Sequence, residues 1–179
     1  MNTTQTLQKL EEIIHLYEAE LTDFSMEQLT RQPSETEWSL GQVYVHLIQT
    51  SLNMQIRNIE TCLQPSESTA NAIAGKTQAG EAVFEAGSFP PIKISVPASP
   101  QYTPSQPLDK EQIMNGLQAV LSKLKEIQPQ LETAPVHQTA AHPRFGGLQA
   151  KEWFQLIEMH FRHHRLQIDR LKHELEINI

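Results

Sequence analysis

Apolar residues return every third or fourth position in four stretches of this chain, and each stretch predicts an amphipathic helix. In the first, over about residues 6–22, Leu7, Leu10, Ile13, Ile14, Tyr17 and Leu21 share one face while Glu11, Glu12, Glu18 and Glu20 face water. The second starts at Ser39, a capping residue with Gln42 three positions on to complete a capping box, and Trp38 before the cap is placed to staple onto Val43. Leu40, Val43, Tyr44, Leu47, Ile48, Leu52 and Ile59 carry its apolar face towards Cys62, and Pro65 ends it. Asp109 caps the third, again with a glutamine (Gln112) at the box position, and its stripe runs through Ile113, Leu117, Val120, Leu121, Leu124 and Ile127 before Pro129. The fourth starts near Leu148, after a turn over residues 142–147, and continues to about Glu174.

The stretches between are less regular. Residues 23–37 carry Pro33 and small polar side chains, which reads as a loop with one short turn. Residues 64–108 hold seven of the eleven prolines and no sustained period. A short helix within residues 70–85 is opposed by Gly75 and Gly80, and residues 89–107 read as extended or polyproline-like chain. Four amphipathic helices without a strand pattern predict an all-α fold, a four-helix bundle. The expected layout is a single domain over residues 1–179, with residues 64–108 as a long proline-rich crossover between helices two and three.

Composition narrows the function classes. A chain of 179 residues is long enough to bury about 70% of its unfolded surface in one core. The net charge of −7, with no lysine or arginine block, argues against nucleic-acid partners and against an anionic membrane surface. Cys62 is the only cysteine, which excludes an intramolecular disulfide and a cysteine-rich zinc site. No apolar run approaches the roughly 18 residues of a membrane span, and the N-terminal residues show no signal-peptide core. A soluble cytoplasmic protein is expected.

The chemistry concentrates in the histidines. His160 and His164 are one helical turn apart, separated by about 6 Å of rise and about 40° of rotation. At about 100° per residue they fall about 20° to either side of Trp153, inside the stripe of Ile157, Ile168 and Leu171. Two neutral imidazoles in a core would each need a separate hydrogen-bond solution, and one shared metal ion satisfies both. Imidazole suits zinc, nickel, copper and iron. His46, on the second helix, falls in a polar strip with Gln42, Gln49, Thr50 and Asn53. From the residues alone the simpler reading is an ordinary surface histidine; the alternative is that this strip lines a cleft with a metal at its floor. His163 falls at the rim of the pair, and His15, His137, His142 and His173 read as solvated or capping. Phe161 stands where a zinc-protease motif requires a glutamate, and Ile157 and Phe161 where ferritin-like sites carry one.

Three blocks, EWSLGQVYVHL (37–47), HPRFGGLQAKEW (142–153) and HFRHHRLQIDRL (160–171), together resemble the DinB superfamily, which includes the YfiT-like metal-dependent enzymes and the bacillithiol and mycothiol S-transferases. The resemblance implies a four-helix bundle whose divalent metal is held by three histidines, at the positions of His46, His160 and His164. Zinc or nickel is the leading expectation for the metal, with iron or manganese next. The resemblance leaves the reaction open between a hydrolase that activates water and a transferase that activates a low-molecular-weight thiol cosubstrate, each acting on a small-molecule substrate. A non-enzymatic metal- or ligand-binding bundle, stress-related, is the alternative. Bundles of this family often pair, so a homodimer is expected. No further catalytic residue stands out.

Overall fold

The four predicted stripes pack against one another in a four-helix bundle, seen here in a computed structural model that describes residues 2–64, 75–91 and 103–177. Asn2 caps α1 (Thr3–Asp23). The segment expected to be a loop with one turn contains a short helix, α2 (Met26–Thr30), because Ser25 and Gln28 form a full capping box and Leu29 has the core to bury into. Ser39 and Gln42 form the expected box at the start of α3 (Leu40–Thr50).

The second predicted helix is not one uninterrupted α-helix. After α3 it passes through a π-helical segment (Ser51–Gln55) into α4 (Ile56–Leu63). The reason lies in the apolar pattern. In a regular helix Ile59 would lie about 120° round from Leu47. The wide turn takes back roughly one residue's rotation, so Leu47, Ile56, Ile59 and Cys62 all reach the core.

A short helix does form in the expected place, α5 (Gln78–Ala86), capped by Thr77 and with Gly80 inside it. Gly80 is there for proximity: a Cβ at this position would stand 2.5 Å from the carbonyl oxygen of Phe145. Next comes α6 (Lys110–Ile127), which begins at the predicted Asp109 cap and runs into a 3-10 turn (Gln128–Thr133). An antiparallel hairpin follows, β1 (Thr139–His142) with β2 (Gly146–Gln149), pairing His142 with Gly146 and Thr139 with Gln149. Leu148 therefore belongs to a strand, and the last helix, α7 (Ala150–Glu174), starts two residues later than expected. Strands of four residues are too short to show a period in the sequence.

The core sits between α1, α3–α4, α6 and α7. α1 packs on α6 and α7, and α3–α4 packs on the same two helices from the other side. The two described parts of the 64–108 connection both dock on the bundle. Residues 75–91 cross the hairpin, with Thr77 N–H on Phe145 O at 2.9 Å and Gly147 N–H on Gly75 O at 3.3 Å. Pro104 and Gln106 lie against α2 and α3, where Gln42 Nε2 donates to Pro104 O at 2.7 Å and Ser39 Oγ to Gln106 Oε1 at 2.9 Å. The rest of the expected crossover, residues 65–74 and 92–102, lies outside the described residues. No described helix is long and apolar enough to cross a membrane.

Gly41 is the tightest point of the α2–α3 junction. A Cβ there would meet Pro107 Cγ at 2.6 Å and the Leu29 carbonyl oxygen at 2.9 Å, neither of which can yield cheaply. Gly41→Ala is expected to destabilise the fold by about 1–3 kcal/mol, outweighing the helical preference for alanine. Gly75→Ala, with nothing within 4 Å, is expected to be close to neutral. Urea unfolding of both variants checks the contrast.

Candidate metal centre

His46 projects from α3, five residues before the π-helical segment begins, and His160 and His164 project from the middle of α7. Their Nε2 atoms converge. His46 Nε2 and His164 Nε2 each stand 3.1 Å from His160 Nε2, and one ligating nitrogen from each of the three residues lies within 4.8 Å of the other two. This is the only group of three or more potential ligand side chains among the described residues. The surface reading of His46 is overturned. Its ring is packed 4.9 Å from Trp38, and the bundle turns this side of α3 towards α7.

Burial governs the protonation of the cluster. It pushes His46 down to about 4 and His164 to about 3; the His46 ring adds to the effect on His164. His160 is held well below its ordinary value, by burial first and then by His164 and His46. All three are neutral near pH 7, the form in which imidazole donates to a metal. The outer nitrogens then decide which lone pair is free. Gln167 Oε1 lies 2.7 Å from His164 Nδ1 and accepts its hydrogen, which leaves Nε2 as the donor atom. Thr50 Oγ1 stands 3.4 Å from His46 Nδ1. His160 Nδ1 is buried and has no partner among the described residues.

The donor set fits a cation. Ligands about 2.05 Å from a tetrahedral metal are about 3.3 Å from one another, close to the 3.1 Å contacts here. Hydrogen bonds alone do not account for the geometry. A ring nitrogen carries one hydrogen or one lone pair, so His160 Nε2 can satisfy only one of the two nitrogens it faces.

The cluster opens into a cavity of about 580 Å³. Trp38, Phe89, Phe145 and Leu156 supply its apolar lining, and Thr50, Gln55, His163, Gln167 and Arg170 its polar positions. The expected cleft along helix two thus exists in part: Thr50 lines it, whereas Gln42 is buried against Pro104 and Gln49 and Asn53 face water. His163 lines the cavity beside the pair, as its rim position suggested. His142 is a capping residue, its Nδ1 accepting from the backbone N–H of Arg144 and Phe145 at 3.1 Å, and its ring stacks on Phe145. Gln55, Phe89 and Gln167 were not singled out in the sequence. Gln167 alone had a usable signal, lying three residues after His164 on the same helix.

A helical bundle with three convergent imidazoles at the floor of a cavity is the class of protein that fold and site define. Residues 9–168 match the DinB superfamily, and the chain belongs to it. Among solved structures, YfiT from Bacillus subtilis, described as a probable metal-dependent hydrolase with an unusual four-helix bundle topology, is similar with a TM-score of 0.59. The two are 16% identical over 98% of this chain and 89% of that one. At that identity the likeness speaks for the fold. No curated protein matches the sequence.

The lowered histidines set a pH dependence for the metal-free protein. Each is neutral when folded and regains its ordinary value of 6.5 on unfolding, so acid favours the unfolded chain. Stability is expected to be full above about pH 6.5 and to fall as the pH drops towards 4. The Glu20 carboxylate, held down by its hydrogen bonds to Arg165, adds its own loss only below 4.5. A urea midpoint that stays constant between about pH 7.5 and about pH 5 would contradict this.

Proposed function

We propose that this protein is a metal-dependent hydrolase of a small-molecule substrate, with His46, His160 and His164 as the ligands of one divalent cation, zinc or nickel first. One observation carries the reading: His160 Nε2 faces two other ring nitrogens at 3.1 Å, a contact set that a shared cation satisfies and hydrogen bonds do not. The chemistry that a bound divalent cation supplies is Lewis acidity, which brings the pKa of a water towards about 7. Superfamily membership and the description of YfiT support the same class of activity.

The chain's own residues position the reaction. Gln167 fixes the tautomer of His164, and Thr50 is placed to do the same for His46. Trp38 and Phe89 flank the imidazoles, with ring centroids 4.9 Å from His46 and 6.3 Å from His160, and keep bulk water from those sides. Three protein ligands leave a further coordination position for a reactant, the pattern of catalytic rather than structural zinc sites. Cys62 takes no part in this reading. It is buried on α4, burial raises its thiol to about 11, and its Sγ is turned to Leu148 O.

Elemental analysis after reconstitution with zinc or nickel tests the ligand set. The wild type is expected to retain about one equivalent, and His46→Ala, His160→Ala and His164→Ala to lose at least about tenfold in affinity. His173→Ala, at an exposed position on α7, is the control and is expected to match the wild type. Equal retention by all four variants would sink the assignment. Turnover of activated esters or amides by the loaded protein, without any thiol, is the expected activity. A strict requirement for a low-molecular-weight thiol would make the protein an S-transferase, and metal binding without turnover a binding protein.

A further inference from the structure

One amide in the cavity lining, that of Gln55, has a donor that no protein group among the described residues takes up. Gln55 closes the π-helical segment and is 2% exposed, yet it lines the cavity. Its single hydrogen bond is to Oε1, which accepts from Ser51 Oγ at 3.2 Å. Among the described residues nothing accepts from Nε2, which leaves this donor to whatever fills the cavity. Its location follows from the π-helical segment. The wide turn that returns Ile56 and Ile59 to the core also sets Met54 and Gln55 on the cavity side, beside Thr50 and His46.

Another part of the cavity lining is a stack of flat rings. Phe89 stacks on Phe145 with centroids 5.8 Å apart and planes 25° apart, and Phe145 stacks on His142 at 4.3 Å and 14°. Trp38 adds a further ring at the His46 side. A cavity of about 580 Å³ is within the range that encloses a drug-sized molecule.

From this juxtaposition we infer that the substrate is a flat, largely apolar molecule carrying a carbonyl-type oxygen, which accepts a hydrogen bond from Gln55 Nε2 while its apolar body lies against the Phe89–Phe145 array. The inference rests on the hydrolase reading for the word substrate, but the binding it describes belongs to Gln55 and the aromatic side chains alone. Gln55 is thus a specificity-determining residue: it favours molecules with an acceptor over molecules of the same shape without one.

Acetophenone and cumene test this directly, being close in shape and differing in that one has a carbonyl where the other has an apolar group. Binding of each is measured to the full-length chain, metal-free and zinc-loaded, by calorimetric titration, and the contact itself is read in the wild type from the ¹H–¹⁵N resonances of the Gln55 side-chain amide. The metal-free protein is expected to bind acetophenone about three- to tenfold more tightly than cumene, with a shift of the Gln55 amide resonance for acetophenone only. Gln55→Leu is expected to abolish that preference while leaving cumene binding within about twofold. Equal affinities in the wild type, a preference that survives in Gln55→Leu, or no binding of either compound would overturn the inference. The wild-type comparison stands even if the variant does not fold. A protein that takes up no zinc but keeps the acetophenone preference would refute the hydrolase reading and leave the Gln55 contact in place; zinc uptake without the preference would do the reverse.

Discussion

The arrangement of this molecule depends on two buried tyrosine hydroxyls. Tyr17, on α1, donates to the carbonyl of Phe161 on α7 at 2.9 Å, and Tyr44, on α3, donates to the carbonyl of Tyr17 at 3.0 Å. The three rings meet edge to face, with centroids 5.2 and 5.6 Å apart. Burial raises both tyrosines well above their ordinary range, so the hydroxyls stay protonated and remain donors. Together these bonds fix how α1, α3 and α7 slide past one another. His46 follows Tyr44 by two residues and His160 precedes Phe161 directly, so the same register that satisfies the tyrosines brings the imidazoles to 3.1 Å.

Charge is kept at the periphery of that core. Arg165 grips Glu20 through two contacts of 2.7 Å and covers the Tyr17 ring at 5.3 Å, closing the α1–α7 seam from outside. Glu158 is the exception, a carboxylate 3% exposed, and it is compensated by the Arg162 guanidinium at 2.9 and 3.0 Å. The cavity between these layers is lined by the charged side chains of Glu37, Arg144 and Arg170 and by neutral imidazoles, amides and hydroxyls. The neutral groups hydrogen-bond or coordinate without the desolvation penalty that a buried ion carries.

The helices were readable from the sequence because their signals are local. Ser39 with Gln42 and Asp109 with Gln112 mark the starts of α3 and α6 at the residues where they occur. The i, i+4 pair of His160 and His164 lies on one helix face, so its convergence follows from helical geometry alone. His46 required the tertiary fold. Its neighbours Gln42 and Gln49 are polar for other reasons, one to cap a helix and hold Pro104, one to face water, and the wheel could not distinguish these from a cleft. Only the family blocks placed His46 with the pair. The π-helical segment, the short hairpin and Phe89 were out of reach for a related reason: each is defined by contacts between distant segments, and none repeats with a period.

Arg162 does more than neutralise Glu158. Its Nη2 also holds the Gly87 carbonyl at 2.7 Å, two residues before the Phe89 ring that faces His160 and His163. The guanidinium thus fastens the outer side of the cavity to the very helix that carries two of the three imidazoles. An occupant pressing on Phe89 pulls on one turn of α7 at its solvent side, and the tyrosine-locked interior need not give way. The Phe89 wall and the imidazole cluster are thereby tied to each other through one guanidinium.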